Sequence, residues 1–507
     1  MKLTIEKKSA DSAGRQQLLL TRNYGSYLNE NGKRVKRRKR QSLDLFIYAT
    51  PKDKFERDHN KKTLDISEKI RAQAIVDLAN NFSESNLNKT RLEIEIDWII
   101  FLTTQCGKNF KPLSSAAKNN LLLIKKSFND KSAKRIKNIE SKTNHDVKAV
   151  EYFIREEMNK FSNLKKYQHL VHFALTSEDV NSLSYAVLLR DAQDIYIKKL
   201  DALIKDLNSK SKSWATLPLL ARTHGQAASP STIGKEIKVF HQRLTRQKEI
   251  LKKMKPMAKF GGATGNFHTL ILSDASIDWV SKTNKFLSSF KVEQNPITTQ
   301  IESHDGIAEI CHCIQRINNI LIDLNQDMWI YISNDIFKLK LKDGEIGSST
   351  MPHKVNPIDF ENSEGNLGLS NSLMNFFADK LTKSRLQRDL SDSTVLRNLG
   401  VGFGYSYLGI CSCLNGLSKI QPHKQNALTE LDDNWQVLAE ALQIVMKLEG
   451  YDNAYEEIKN KTRGHNIDKD SYLKIVNELK ISSKSKDQLN KLTPSNYLGI
   501  ASKLAKL

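Results

Sequence analysis

The stretch that decides the fold is residues 301–328, IESHDGIAEICHCIQRINNILIDLNQDM. Its apolar side chains recur at spacings of mostly three, four and seven, which is the period of one helical face. Similar stripes run through residues 187–207 and 237–254. Three helices of more than about 20 residues predict a helical bundle, and stripes this broad favour packing between several copies of the chain. The stripe of the first stretch consists of Ile301, Ala308, Ile310, Ile314, Ile317, Leu321, Leu324 and Met328.

The first 80 residues have a different pattern. Apolar runs before residue 50 are short and strand-like, at Leu18–Leu20 and Leu43–Tyr48, with a turn-rich segment at 23–32 between them. Helical spacing appears only from about residue 57 to 79. This region predicts a small α+β module of three short strands and a helix.

Composition excludes several classes of protein. Of the 507 residues, 39% are hydrophobic and 27% are charged, and the mean hydropathy is −0.50, which is typical of soluble globular proteins. No apolar run approaches the ~18 residues that a membrane span needs. The N-terminal residues lack the apolar core of a secretory signal. Five cysteines, an odd number in a long chain, favour a reducing compartment, so we expect a cytoplasmic protein without membrane contact.

Charge is the unusual bulk property. The formal net charge is +22, and residues 33–40 contain seven cations in eight positions. Such an excess is consistent with a polyanionic partner, an anionic small substrate, or a host whose proteins are generally basic. Charge alone does not choose among these three.

Three loops rich in glycine, proline and polar residues separate the helical stretches, at 222–230, 261–266 and 343–357. Polar loops on rigid helices are common sites of chemistry. The third loop offers hydroxyls, a cation and an amide, and a serine there could act as a base if backbone N–H groups and a lysine stabilise its alkoxide. The other interpretation is a capped helix start with surface lysines.

The order of residues in that loop, Gly347-Ser-Ser-Thr-Met-Pro-His-Lys-Val-Asn-Pro357, resembles the signature loop of the fumarase/aspartase superfamily. Its members cleave C–N or C–O bonds by β-elimination and release fumarate. Other segments resemble the adenylosuccinate lyase family in its long bacterial form, in family order from about residue 82 to the C-terminus. These segments are 142–150, 172–179, 222–226, 298–302 and 383–398.

The resemblance implies a set of catalytic residues for β-elimination. Ser348 would be the base that removes a proton beside a carboxylate, and His224 would be the acid that protonates the departing nitrogen. Glu361 would pair with His224, which would favour the protonated imidazole and fix its orientation. His145 would help to position the substrate phosphate and the acid.

The resemblance also implies the substrates and the fold. The substrates would be adenylosuccinate and the succinylcarboxamide ribotide of purine synthesis, with no cofactor and no metal. The fold would be a long helical bundle of the fumarase/aspartase type, forming a homotetramer with active sites built from several protomers. The implied substrate-binding residues are Thr176, Ser177, Gln300, Lys354, Asn356, Arg388, Ser393 and Arg397.

We expect four domains, with boundaries set by composition and resemblance. They are a basic α+β module at 1–80, an N-terminal helical lyase domain at 81–175, the long-helix bundle at 176–400 and a C-terminal helical domain at 401–507.

Two sequence features resemble ligand-binding motifs but lack the spacing that such motifs require. Cys311-His312-Cys313 contains metal-ligand types, but in a continuous helix residues two apart point ~200° apart and do not close one site. Residues 261–266 contain glycines but lack a preceding strand and the dinucleotide-binding spacing.

The N-terminal region departs from the family. The family's Ser-Pro-x-Asp-Gly-Arg-Tyr segment, whose arginine and tyrosine contact the substrate phosphate, is missing. Residues 1–80 instead resemble the arm-type DNA-binding domain of tyrosine recombinases, and the basic run 33–40 would neutralise DNA phosphates without specifying bases. A solvated basic face without DNA is the simpler interpretation of the run. The departure leaves one alternative open, a weakly active or inactive lyase-like scaffold fused to a DNA-binding arm.

Overall fold

The computed structural model describes residues 78, 80–107, 109–340, 351, 354–464 and 467–507, and the backbone of three strands before them. These strands are β1 (Lys2–Lys7), β2 (Arg15–Leu28) and β3 (Arg34–Tyr48), paired antiparallel in the order β1-β2-β3. The three-stranded sheet is therefore confirmed. The prediction that all three strands are short was wrong, because β2 and β3 have 14 and 15 residues. The helix predicted at 57–79 lies almost wholly outside the described residues.

From residue 84 the chain is mainly helical, which confirms the predicted fold class. Four helices come first: α1 (Glu84–Gln105), α2 (Ser115–Lys126), α3 (Asp130–Thr143) and α4 (Asp146–Asn159). Ser83, Ser114, Asn129 and His145 cap them, each accepting a backbone N–H of the first turn. A 3₁₀ helix follows at Ser162–Leu170.

Five long helices form the central bundle. They are α5 (Ser177–Ser213), α6 (Ile233–Lys253), α9 (Asp305–Ser333), α10 (Ile358–Leu381) and α12 (Leu399–Lys419). Every residue of the 301–328 stripe is buried. Halfway along the bundle, Tyr196 Oη lies 2.8 Å from Ser406 Oγ, which in turn donates to Asn318 Oδ1 at 2.5 Å. This buried chain of polar groups joins α5, α12 and α9 at one level.

Shorter elements connect the long helices. Between α5 and α6 lies a hairpin, β4 (Pro218–Thr223) and β5 (Gln226–Thr232). Between α6 and α9 lie β6 (Met257–Ala258), α7 (His268–Ser273), α8 (Trp279–Ser289) and β7 (Glu293–Gln294), and β6 pairs with β7. After α9 comes β8 (Phe337–Leu339), and α11 (Ser391–Leu396) precedes α12.

The C-terminal part begins with β9 (Ile420–Pro422), which pairs with β8. Its remaining elements are α13 (Lys424–Asp432), a 3₁₀ helix at Trp435–Leu438, α14 (Ala439–Leu448), α15 (Ala454–Thr462), α16 (Lys469–Glu478), α17 (Ser483–Asn490) and α18 (Ala501–Leu504).

The buried apolar residues form three clusters. One fills the bundle, a second packs residues 92–187 against 258–292, and a third holds Leu220 and residues 431–489. The predicted domain boundaries near 80, 175 and 400 stay a prediction. Within the described residues, no helix combines the length and the apolar character that crossing a bilayer requires.

Candidate active site

Contacts between the long helices show which of their termini lie together at each end of the bundle. Helix α9 starts near the first turn of α5, because His304 and Glu178 line one small cavity, and it runs parallel to α5. Beyond the last turn of α5, the Trp214 ring lies 5.5 Å from that of Phe337, just past α9. Helix α10 then begins beside the end of α9, where Trp329 Nε1 donates to Glu361 Oε1 at 3.1 Å. We call the end with Ser177 the near end and the end with Ser213 the far end.

At the near end, the start of α5 presents two of the predicted substrate-binding residues. Thr176 is the N-cap of α5, and its backbone N–H donates to Asp179 Oδ2 at 2.8 Å. Thr176 and Ser177 are half-buried. The positive end of the helix dipole favours negative charge beside them, so this helix start can receive a carboxylate or phosphate.

Arg388 lies next to this helix start. Its Nη2 is 3.1 Å from Glu178 Oε2, and its Nη1 donates to Gln300 Oε1 at 3.4 Å. Burial raises the pKa of Glu178, while the Arg388 guanidinium opposes that shift. Ser393, half-buried in α11, follows on the same segment. The structure therefore brings together Thr176, Ser177, Gln300 and Arg388, four of the predicted substrate-binding residues.

A second group at the near end surrounds His145. This half-exposed residue caps α4, its Nδ1 accepting from the Lys148 N–H at 3.1 Å. Asp146 Oδ2 lies 2.8 Å from Arg91 Nη2 and 3.3 Å from Arg397 Nη2. Burial alone would raise the pKa of Asp146, but Arg91, the Val147 N–H and Arg397 together outweigh burial and hold the pKa below its ordinary value. The structure thus places predicted residues His145 and Arg397 on either side of one carboxylate.

The far end holds the predicted acid and its predicted partner. His224 is exposed at the turn between β4 and β5, with a left-handed φ of 53°. Glu361 is exposed in the first turn of α10. Lys354 is exposed and Asn356 half-buried, shortly before that turn. Ser348, the predicted base, lies outside the described residues.

The two ends are far apart within one chain. Helix α5 has 37 residues, and at 1.5 Å per residue it spans about 55 Å between Ser177 and the segment leading to His224. Within the described part of the chain, no hydrogen bond or ion pair joins His224 to Glu361 or either residue to the near-end set. The predicted site residues that the structure describes therefore fall into two separate groups within one chain, which we call the half-sites.

Comparison with known proteins identifies the family of this chain. The sequence model of a lyase family matches residues 72–369, and that of the adenylosuccinate lyase C-terminal region matches residues 384–498. Adenylosuccinate lyase of Escherichia coli K12 is 45% identical over 422 residues, covering 83% of this chain and 92% of that protein. Its counterpart in Buchnera aphidicola subsp. Schizaphis graminum is 46% identical over 431 residues, covering 84% and 94%.

The chain belongs to the adenylosuccinate lyase family. It is accordingly a C–N lyase. The comparisons give no support to the alternative of an inactive scaffold.

Solved structures agree with the fold of this adenylosuccinate lyase family member. A fumarate lyase from Mesorhizobium sp. BNC1 superposes with a TM-score of 0.69 at 15% identity, covering 84% of this chain and 96% of that one. The 3-carboxy-cis,cis-muconate lactonizing enzyme of Pseudomonas putida gives a TM-score of 0.63 at 17% identity, covering 86% and 94%. At such identities the likeness concerns the fold alone.

Sequence reasoning missed the partners that fix the near-end residues. Glu178 holds Arg388, and Arg91 with Asp146 holds Arg397. His172, with no role assigned from sequence, lies between Glu95 and Glu151, two carboxylates that are almost fully buried. One sequence signal for such partners was available, a charged residue inside an otherwise apolar helical stripe, as at Glu95. Charged residues are rarely buried without a partner, so this position indicates a buried ion pair.

The described residues contain no group of three or more His, Cys, Asp or Glu side chains arranged to hold a metal ion. Cys311 and Cys313 are buried in α9, and burial raises the pKa of the Cys311 thiol to about 12. A thiol with so high a pKa remains protonated near neutral pH, whereas metals bind the thiolate.

Proposed function

We propose that this chain cleaves adenylosuccinate into AMP and fumarate, and performs the same elimination on the succinylcarboxamide ribotide. The observation that carries the proposal is the near-end arrangement of Arg388, Gln300 and the start of α5, combined with 45% identity to an adenylosuccinate lyase. Arginines and a helix N-terminus suit the phosphate and carboxylates of such substrates.

The proposed reaction needs one proton removed and one delivered. The Ser348 alkoxide takes the proton from the carbon beside a succinyl carboxylate, and charge accumulates on that carboxylate. The electron pair then forms the double bond of fumarate while the C–N pair leaves with nitrogen, which takes a proton from His224. Glu361 pairs with His224 and fixes the orientation of its ring.

The other predicted residues bind substrate. Thr176, Ser177, Lys354 and Asn356 hold the succinyl carboxylates, and Gln300 contacts the reacting portion. Arg388, Ser393 and Arg397 hold the nucleotide, and His145 acts beside the phosphate. The proximity of Arg397 to His145 through Asp146 supports this assignment.

We further propose that the active enzyme is a homotetramer in the cytoplasm. The separation of about 55 Å between the half-sites supports shared active sites, because a complete site then requires the near end of one copy and the far end of another. None of the five cysteines, all of which the structure describes, forms a disulfide, which is consistent with a reducing compartment.

Fumarate release, followed by ultraviolet absorbance, tests the reaction. We expect Ser348→Ala and His224→Ala to lower kcat by about a thousandfold, because each removes a proton-transfer group. Ser349→Ala, which changes the neighbouring hydroxyl, is the matched control and should retain most of the activity. Equal rates for wild type and Ser348→Ala would remove serine from the role of base.

A second function is favoured by the N-terminal sheet. Strand β3 begins with residues 34–40, six of which are cations, and it pairs along its length with β2. We propose that this sheet contacts DNA through phosphates. Deleting residues 1–80 should weaken retention on a DNA column at low salt, because it removes the densest cluster of cations. Unchanged retention would refute the DNA contact.

A further inference from the structure

A buried ion pair lies directly behind the start of α5. Lys259 Nζ is 2.7 Å from Asp179 Oδ1, and neither side chain is exposed to solvent. Lys259 Nζ also donates to the Gly262 carbonyl at 2.6 Å. Asp179 accepts from the Gly262 N–H at 3.1 Å and from the Thr176 N–H at 2.8 Å. Both charges are thus paired and further hydrogen-bonded, the condition under which a buried ion pair is tolerated.

The pair fastens the glycine turn at 261–265 to the start of α5. Gly262 has a left-handed φ of +80°, and both its N–H and its carbonyl are used by the pair. The backbone N–H of Lys259 donates to Ser182 Oγ at 3.1 Å, which adds a third connection to α5. The turn therefore has little freedom to move relative to Thr176.

The same turn supports the segment that leads to Gln300. A Cβ on Gly265 would overlap the backbone oxygen of Thr298, so the two backbones are in direct contact. Two residues later, the Gln300 N–H donates to the Gln387 carbonyl at 3.3 Å, next to Arg388. The start of α5 thus contacts the glycine turn, the turn contacts the segment that contains Gln300, and that segment contacts the residue before Arg388.

We propose that Asp179 and Lys259 are positioning residues that hold Thr176, Ser177 and Gln300 in fixed relation for the succinyl end of the substrate. The inference rests on the proposed function, since it takes those three as substrate-binding residues. Asp179 touches no substrate; it acts through the Thr176 N–H and the Gly262 N–H. If the ion pair served folding alone, removing it would change the stability of the protein and leave its affinity for substrate unchanged.

The experiment removes both charges together. Single variants would leave one buried charge unpaired and risk unfolding, whereas neutralising a buried pair is often tolerated. The test variant is therefore Asp179→Asn with Lys259→Met. The matched control is Asp97→Asn with Lys125→Met, because that pair has the same 2.7 Å separation but joins α1 to α2.

We expect the test variant to remain folded, by circular dichroism, and to show KM for adenylosuccinate raised tenfold or more with kcat changed less than threefold. A raised KM with a nearly unchanged kcat means that substrate binding, rather than the chemical step, is affected. The amide of Gly262 should also exchange its hydrogen faster. The control should keep the wild-type KM. A folded test variant with wild-type KM would overturn the inference.

Two further measurements keep the test decisive. If the double variant does not fold, Ser182→Ala loosens only the Lys259 backbone, and it should raise KM about threefold; an unchanged KM there counts against the inference. Calorimetric binding of adenylosuccinate in the Ser348→Ala background repeats the comparison without turnover. A wild type that releases no fumarate refutes the proposed function, whereas a dissociation constant unaffected by the double substitution refutes the positioning role.

Discussion

The His172 imidazole is held between two carboxylates that solvent barely reaches. Its Nδ1 is 2.6 Å from Glu95 Oε1, and its Nε2 is 3.8 Å from Glu151 Oε1. The side chain is 14% exposed, and its backbone has a left-handed φ of 61°. Burial alone lowers the pKa of His172, but Glu95, Glu151 and Asp179 outweigh burial and raise it above 6.5. The protonated ring therefore balances part of the buried negative charge.

At the residue scale we predict a pH-dependent contribution of His172 to stability. His172→Gln should lower the free energy of unfolding by about 3 kcal/mol at pH 6, because it leaves Glu95 buried without its cation. The pKa of His172 in the folded protein is above 6.5. Its contribution to the free energy of unfolding is therefore complete below pH 6.5 and is lost as the pH rises through this raised pKa. Denaturant unfolding at pH 6 and pH 9 measures this.

The exposed His169 provides the control for His172. His169→Gln should leave the free energy of unfolding nearly unchanged at both pH values. A His172→Gln deficit that was the same at pH 6 and pH 9 would contradict the charged imidazole.

At the element scale, the glycine turn at 261–265 allows a prediction that separates backbone conformation from close packing. Gly262 and Gly265 have left-handed φ values of +80° and +78°. Among the described residues, a Cβ on Gly262 would have only Thr269 Oγ1 within 4 Å, at 3.9 Å, whereas one on Gly265 would overlap Thr298. Gly262→Ala should cost about 1 to 2 kcal/mol of stability from conformation alone. Gly265→Ala should cost clearly more, and it should also raise KM.

Thermal unfolding and steady-state kinetics of the two alanine variants check this prediction. Equal losses of stability in both would show that the turn and the Thr298 segment separate easily, and that the close approach is unimportant.

At the scale of the whole molecule, the separation of the half-sites predicts complementation between inactive variants. His224→Ala affects the far end and Arg388→Ala the near end, so each alone should be at least about a hundredfold less active. Mixed assemblies would contain some sites with both native residues. Activity after co-refolding should therefore rise at least about tenfold above either variant.

The control for complementation uses two residues of one half-site. Gln300 and Arg388 are in contact within one chain, so mixing Gln300→Ala with Arg388→Ala should not restore activity. Failure of the first mixture to recover would place a complete site within a single chain and contradict shared active sites.

Much of the fold was predictable because helical periodicity is a local property. The stripe at 301–328 lies in α9 except for Ile301, which precedes the helix, and every member is buried as the spacing predicted. The strand lengths at the N-terminus were not predictable in the same way. Residues 23–28 look turn-rich in sequence but belong to β2, where cross-strand pairing with β3 outweighs their weak local preference.

The sequence by itself determined the chemistry that this chain carries and the helices that carry it. Residue types such as His224, Lys354 and Arg388 occur in a recognisable order, and helical spacing depends on neighbours within a few turns. The tertiary structure decided which of these residues meet. Arg388 reaches Glu178 and Lys259 reaches Asp179 across long stretches of sequence, and α5 keeps the two half-sites about 55 Å apart. Such pairings depend on how the helices pack together, which no local pattern of residues specifies.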